Sequence, residues 1–479
     1  MARVFYAARW TFISVLFSTT TWAEPLKNRT VDTSQQAADI AALRTELAHM
    51  RSSYESRIAE LENKLMRVES AAPTVLPSPT AAAEPAPQNT LPAAVAFTPA
   101  VPPAAASTSA SANAFNPAIG LVLNGGYKNY SRKNSEFAGF GVGDEGVRGK
   151  QGFSLGESEL SFAAPIDDKF AGRLTLAVLN EDGQDNIETE EAFIRNQPGK
   201  LLPAGASFRA GRALWTLGYL NEQHTHTDDF SDRPLPYRAF LNNAYNDDGA
   251  ELNWILPLEI YTEIGGGLFR GDAFPFGDAS GNGAEARSAY GRVGGDIGEN
   301  QSWRVGAYRL DGHADNRQTN DKELSFKGDS ALWISDVRYT WTPDGNRNVN
   351  EVTAQAEYFH RDDDGSTQYM PSNNGYVDMN NRNTGWYLQS AWRFLPQWKT
   401  GIRYSRLDTT TVSKSLMGSP LEADGLNPNA WALMLQWDNS EFSRIRLQFN
   451  REELARGNTD NQILLNYTMS LGAHGAHNY

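Results

Sequence analysis

The residues of this chain best equipped for chemistry lie between Leu217 and Asp248, in LGYLNEQHTHTDDFSDRPLPYRAFLNNAYNDD. His224 and His226 form a His-x-His pair with Asp228 and Asp229 just beyond it, and neutral imidazole with carboxylate is a usable ligand set for zinc. Glu222, Asp232, Arg233 and Arg238 add two more acids and two cations to the same stretch. A loop held only by hydrogen bonds would use the same residue types, so the sequence requires no cofactor and admits zinc as one alternative. His313 beside Asp311 and Asp315, and His360 before Asp362, Asp363 and Asp364, repeat the pairing. Such loops suit either electrostatic attraction of divalent cations or ordinary solvated acidic surface. No Gly-x-Ser-x-Gly, His-Glu-x-x-His or phosphate-cradling glycine motif occurs, and no enzymatic activity is expected. With no cysteine there is neither a disulfide framework nor thiolate chemistry.

The elements around this stretch must hold it in place, and from residue 118 onward they have a period of two. Trp431, Leu433, Leu435 and Trp437 make one apolar face; Ile445, Leu447 and Phe449 alternate with Arg444, Arg446, Gln448 and Asn450. Sixteen such segments run from 118–130 to 461–472, among them 152–164, 301–311, 331–341, 350–360 and 384–394. Connections at 165–169, 257–258, 298–300, 395–397 and 439–442 are short, whereas 131–151, 271–286, 312–330, 361–383 and 408–429 are long and polar. Alternating short turns with long loops predicts an all-β fold, a sixteen-stranded antiparallel transmembrane β-barrel over residues 118–479. Trp333 with Trp341, Trp386 with Trp392 and Trp431 with Trp437 fall where two interfacial aromatic girdles would lie. A mean hydropathy of -0.51 agrees with this, because only every second residue of a membrane barrel meets lipid. Among the outward connections 131–151 is first, 180–186 second and 217–248 third.

The same parity directs Arg304, Arg338, Arg393, Arg403, Arg444 and Arg446 into the lumen with Asp336 and Glu357. A basic strip facing an acidic loop sets a transverse field that sorts solutes by polarity and size, although arginines can also simply solvate a wet interior. The formal charge of -14 excludes nucleic acid as the main partner, since phosphate binding needs a concentrated basic face.

The N-terminal part follows other rules. Arg3 and Arg9, the apolar run Trp10–Phe17 and the small residues of Thr21-Trp22-Ala23 predict a cleaved export signal over 1–23. Ile40, Leu43, Leu47, Met50, Tyr54, Ile58, Leu61, Leu65 and Val68 form a heptad seam with one stutter, predicting an α-helical coiled coil over 31–70. Self-association into a homotrimer is its natural use; a lone helix on the barrel or on peptidoglycan is the alternative. Residues 71–117 are rich in Pro and Ala and predict an extended linker, on the order of 100 Å long at polyproline rise.

Four stretches carry a family resemblance: GFSLGESELSFAAPID (152–167), AGRALWTLGYLNEQHTHTDDF (210–230), PYRAFLNNAYNDDGAEL (236–252) and NYTMSLGAHGAHNY (466–479). They resemble Gram-negative outer-membrane porins of the phosphate-selective O and P type, and more specifically a porin-like group known as zinc-regulated outer-membrane receptors. The resemblance implies a sixteen-stranded channel whose third outer loop narrows the pore. On that basis Glu222, His224, His226, Asp228, Asp229, Asp232, Arg233 and Arg238 are the expected constriction. The expected partners are outer-membrane lipid and small hydrophilic solutes or ions, with the coiled coil in the periplasm. Zinc or other divalent-metal binding and uptake through His224, His226, Asp228 and Asp229 is the alternative. The terminal Tyr479 resembles the aromatic assembly signal of such barrels, and His474 and His477 would add metal affinity.

Overall fold

The computed structural model describes residues 117–133, 135–181, 184–279, 281, 283–372 and 375–472. The export signal, the coiled coil, the linker through residue 116 and the terminal residues 473–479, with His474 and His477, lie outside these residues.

Seventeen strand segments form one antiparallel sheet closed on itself. β1 (Ala118–Tyr130) pairs along one edge with β17 (Asn458–Gly472) and along the other with β2 (Gly152–Leu155) and β3 (Ser158–Pro165). β2 and β3 are two halves of one stave: β1 advances from Gly125 back to Val122 while its partner advances from Leu155 to Glu159, which leaves one extra residue as a bulge. The ring therefore has sixteen staves. β4 (Phe170–Glu181), β5 (Gln184–Asn196), β6 (Ala206–Leu214), β7 (Asn246–Ile255), β8 (Tyr261–Phe269) and β9 (Ala286–Ile297) build one side. β10 (Gln301–Thr319), β11 (Leu324–Trp341), β12 (Glu351–Tyr369), β13 (Tyr376–Leu395), β14 (Trp398–Asp408), β15 (Asn429–Ser440) and β16 (Ser443–Ala455) complete it.

The period-two pattern sets which face is which. On β15 the outward Leu433 is 52% exposed and its inward neighbour Ala432 is 3% exposed. Trp431, Leu435, Leu447, Phe449, Ile463 and Leu465 continue the outward apolar band. Closure leaves no strand edge to be satisfied, which is what allows a sheet to stand in hydrocarbon.

The wall is uneven in height. β6, β7 and β8 have 9, 10 and 9 residues, whereas β10 to β13 have 19, 18, 19 and 20. The segments expected as long loops at 312–330 and 361–383 are therefore largely ladder, with β10 reaching Thr319 and β12 reaching Tyr369. The pattern faded there because both faces become polar, yet backbone pairing continues from Ala331↔Asp362 to Leu324↔Tyr369. The segment at 408–429 does contain a true connection, with one 3₁₀ turn at Lys414–Leu416.

Gly211 on β6 has φ +130, and any Cβ there would overlap the carbonyl oxygen of Ala192 on β5. Gly211→Val should strain this junction by about 1–3 kcal/mol. The expected outcome is a lower midpoint of thermal unfolding in detergent, with Ala210→Val, on the outward face, close to wild type. Equal midpoints for the two variants would contradict the close approach.

Candidate functional site

The connection from Leu214 to Asn246 folds inside the barrel. Two single 3₁₀ turns, Leu220–Glu222 and Thr225–Thr227, lead to a helix, α1 (Leu235–Leu241). Pro236 suits the first turn, where the missing N–H has no partner to lose, and Asn242 ends the helix with φ 50 in the left-handed region. All seven helix residues are buried.

An apolar cluster holds the helix. The Phe240 ring stacks on Phe359 of β12 at 6.0 Å and meets Phe140 of the first outer connection edge-on at 5.8 Å. Tyr237 lies edge-on to Phe359 at 5.1 Å and to Tyr387 of β13 at 6.3 Å. The first connection closes over the helix end: Gly146 N–H donates to Asn242 Oδ1 at 2.7 Å, and Arg238 Nε donates to the Gly146 carbonyl at 2.9 Å. The sequence signal for this apolar patch inside the barrel is the run of inward-parity apolar residues on the wall, among them Leu332, Ile334, Phe359, Tyr387 and Leu407.

Polar ties then fix the chain around the wall. Glu222 pairs with Arg292 of β9 at 2.5 Å. Tyr219 lies under the guanidinium groups of Arg304 and Arg338, at 4.7 and 4.4 Å, and Arg304 also pairs with Asp336 at 3.3 Å. Glu357 accepts from Tyr237 Oη at 2.9 Å, Tyr387 Oη at 2.5 Å and the Tyr219 N–H at 3.3 Å. Asp232 pairs with Arg403 at 2.6 Å and accepts from Gln448 and Asn450 at 2.6 and 3.0 Å. Arg238 pairs with Glu452 at 2.7 Å, and Arg446 donates to the Asp228 carbonyl at 2.7 Å. Burial opposes ionisation of Asp229, but Lys399, its ion-pair partner, and Arg338 outweigh it and hold the carboxyl at about 2. Burial likewise opposes ionisation of Asp232, and Arg403 and Arg238 draw it below the usual range. Arg393 pairs with Asp438 at 2.9 Å, away from the connection, and Arg444 stands half-buried on the inward parity of β16.

The four residues expected as one metal set are not brought together. After the turn at Thr225–Thr227 the backbone extends through Asp228 (φ -60, ψ 154), and both acids find other partners. Asp228 pairs with Arg233 of the same connection at 2.6 Å, and Asp229 with Lys399 of β14. The histidines meet glutamates of β3 and β5 instead. His224 Nδ1 lies 3.1 Å from Glu190 and 3.3 Å from Glu159, its Nε2 lies 3.1 Å from Glu191, and His226 Nδ1 lies 2.6 Å from Glu159. Thr225 Oγ1 donates to Glu157 at 2.5 Å. Burial alone would lower His224, but Glu190, Glu159 and Glu191 outweigh it and hold the imidazole well above its ordinary value. Glu157 and Glu159, two residues apart, share one face, which the break between β2 and β3 sets inward after the outward Leu155, and Glu190 reaches the lumen because it sits at a bulge: Thr175 pairs with Glu191 and Leu176 with Thr189, which skips Glu190. Strict alternation could not place Glu190 beside Glu191.

No family model matches the sequence. An uncharacterized protein of Aquifex aeolicus (strain VF5) is 26% identical over 403 residues, covering 75% of this chain and 79% of its own length. Among solved structures, the anion-selective porin from Comamonas acidovorans is 11% identical with a TM-score of 0.47, matching 74% of this chain and 99% of its own. The outer-membrane channel DcaP of Acinetobacter baumannii is 12% identical with a TM-score of 0.46, over 74% and 97%. OprB of Pseudomonas putida is 9% identical with a TM-score of 0.42, over 74% and 94%.

Phe240→Ala removes the ring between Phe359 and Phe140, at an expected local cost of about 3–5 kcal/mol. Hydrogen exchange in detergent should speed up in peptides from 217–245 while β14 to β16 keep their protection. Unchanged exchange in 217–245 would show that this packing does not hold the connection.

Proposed function

We propose that the protein is an outer-membrane channel for diffusion of small hydrophilic solutes or ions, with the 217–248 connection narrowing its lumen. One observation carries this reading: side chains of the connection reach inward-facing groups on β3, β5, β9, β12, β14 and β16, so it crosses the barrel rather than lying above it. The ties expose unlike charges on different sides. Arg304 is 17% exposed over a fully buried Asp336, and Arg209 is 26% exposed over Glu251 at 4%, whereas Asp232 is 23% exposed and its partner Arg403 only 5%. A solute crossing between them would meet cations on the β6 and β10 side and carboxylate on the β14 side, a field that polar solutes tolerate and apolar ones do not. In this reading the short turns face the periplasm of a Gram-negative cell, and the heptad seam joins three chains into a homotrimer there, within reach of peptidoglycan.

Reconstitution in planar bilayers tests the channel. Discrete conductance steps are expected, and replacing 219–241 with a short Gly-Ser segment should raise the single-channel conductance several-fold. A wild-type protein that inserts without conducting would sink the channel reading; equal conductance after the replacement would sink the constriction.

A second reading, divalent-metal binding and uptake, draws on the histidine site. One donor atom each from Glu159, Glu190 and His224 lie within 4.8 Å of one another, and a carboxylate and imidazole set of this kind fits zinc. Glu159 and Glu190 take the places that Asp228 and Asp229 were expected to fill. Equilibrium zinc titration of the wild type should show one site that His224→Ala/His226→Ala lacks. Identical isotherms would remove this reading.

A further inference from the structure

The connection leaves one part of the inner wall uncovered. Its ties run to β3 and β5 on one side and to β14 and β16 on the other, and β17 and β1 stand between them. Across the ring a single apolar cluster joins Phe140 of the first outer connection, Phe240 of α1 and Phe276 of the β8–β9 connection to Tyr290, Phe359 and Leu407 on the wall. That packing shuts the sector from β9 to β14. Exposure follows the same division. On β12 every second residue from Thr353 to Asp363 faces inward, and all of these are buried. On β1 the inward Asn124, Gly126, Lys128 and Tyr130 are all partly exposed, and so is Asn466, which stands opposite Gly126 on β17.

This strip carries one charge of its own. Lys128 projects inward near the outer end of β1, and a Cβ on Gly149 of the first outer connection would stand 3.4 Å from its Nζ. Among the described residues no carboxylate pairs with Lys128; the connection's Asp232 is the carboxylate whose field reaches it. The other exposed charges differ in this respect. Asp232 is held by Arg403, Arg304 by Asp336 and Arg209 by Glu251. At the outer end of the strip Tyr130 lies under the Arg148 guanidinium at 4.2 Å, and Arg148 is tied to Asp460 of β17. A paired charge has its field largely cancelled by its neighbour. An unpaired ammonium in a narrow passage does not, and it acts on each passing ion at close range.

We infer that the aqueous path past the connection runs off-centre along β1, and that Lys128 sets its preference between anions and cations. The inference rests on the channel reading and adds to it the route and the deciding charge.

The chain has no cysteine, so a single introduced thiol in the full-length protein reports its own surroundings. Asn124→Cys and Lys128→Cys should react with charged methanethiosulfonates, whereas Thr353→Cys, on the buried parity of β12, should not. In planar bilayers, modification of Asn124→Cys should lower the single-channel conductance about twofold by filling part of the passage. Reversal potentials across a potassium chloride gradient read the charge. Lys128→Glu should shift the preference toward cations, and Lys128→Arg should keep the wild-type value. If Lys128→Glu folds poorly, Lys128→Gln should shift the preference in the same direction by less. Lys128→Cys should return toward the wild-type value with the aminoethyl reagent and move further toward cations with the sulfonatoethyl reagent. Equal reactivity at all three positions, or unreactive thiols at 124 and 128, overturns the route. A reversal potential that ignores the charge at 128 overturns the role of Lys128. A wild type that inserts without conducting defeats the channel reading and this path with it; a conducting protein in which these variants are silent defeats the path alone.

Discussion

Closure of the backbone ladder is the constraint from which the other features follow. β1 pairs with β17 over Gly120↔Gly472 to Tyr130↔Gln462 and with β2 and β3 on its other edge, so the ring of strands has no free edge. A closed sheet separates an inside from an outside for every strand at once, and a period of two then assigns each residue to one or the other. Apolar side chains collect outside. Charged ones collect inside, where each must find a partner or stay in water.

The inside of a ring this wide cannot be filled by strand side chains alone, and the connection between β6 and β7 supplies the missing mass. It does so with two kinds of contact. On one wall α1 buries Tyr237 and Phe240 against Phe359, an apolar contact that needs no matched charge. Elsewhere it places acids against wall arginines, as with Glu222 on Arg292 and Asp232 on Arg403. A buried ion pair contributes little net stability but penalises any other arrangement, because a slipped loop would strand a charge. Apolar packing thus holds the connection in, and the ion pairs set its register against the wall.

How much of this could be read from sequence depends on the physics behind each part. Strand identity was legible wherever one face met an apolar medium, as along Trp431 to Trp437, because alternation is then enforced. It faded at 312–319 and 361–369, where both faces are polar and only backbone pairing maintains the strand. The lumen side of Arg304, Arg338, Arg403 and Arg446 followed from parity alone. The company kept by His224 and His226 did not. Proximity in sequence suggested Asp228 and Asp229, but an extended backbone after Thr227 takes those acids away, and glutamates 33 and 34 positions before His224 on β5, with Glu159 on β3, replace them.

Two bulges decide the chemistry of that last site. In a regular ladder, neighbours along a strand face opposite ways, so Glu190 and Glu191 could not both approach one imidazole. The skipped residue on β5 turns Glu190 inward beside Glu191, whereas Glu157 and Glu159, two residues apart, already share one face, which the break between β2 and β3 sets inward after the outward Leu155. The result is four carboxylates around a histidine pair, with Arg173 pairing with Glu191 at 3.0 Å. So many buried negative charges require positive charge nearby, and the imidazole of His224 is held in its protonated form to provide it. A proton and a divalent cation are alternative answers to the same excess of carboxylate. The bulges therefore do more than bend the wall: they fasten the start of the 217–248 connection to β3 and β5 through groups whose charge must be balanced.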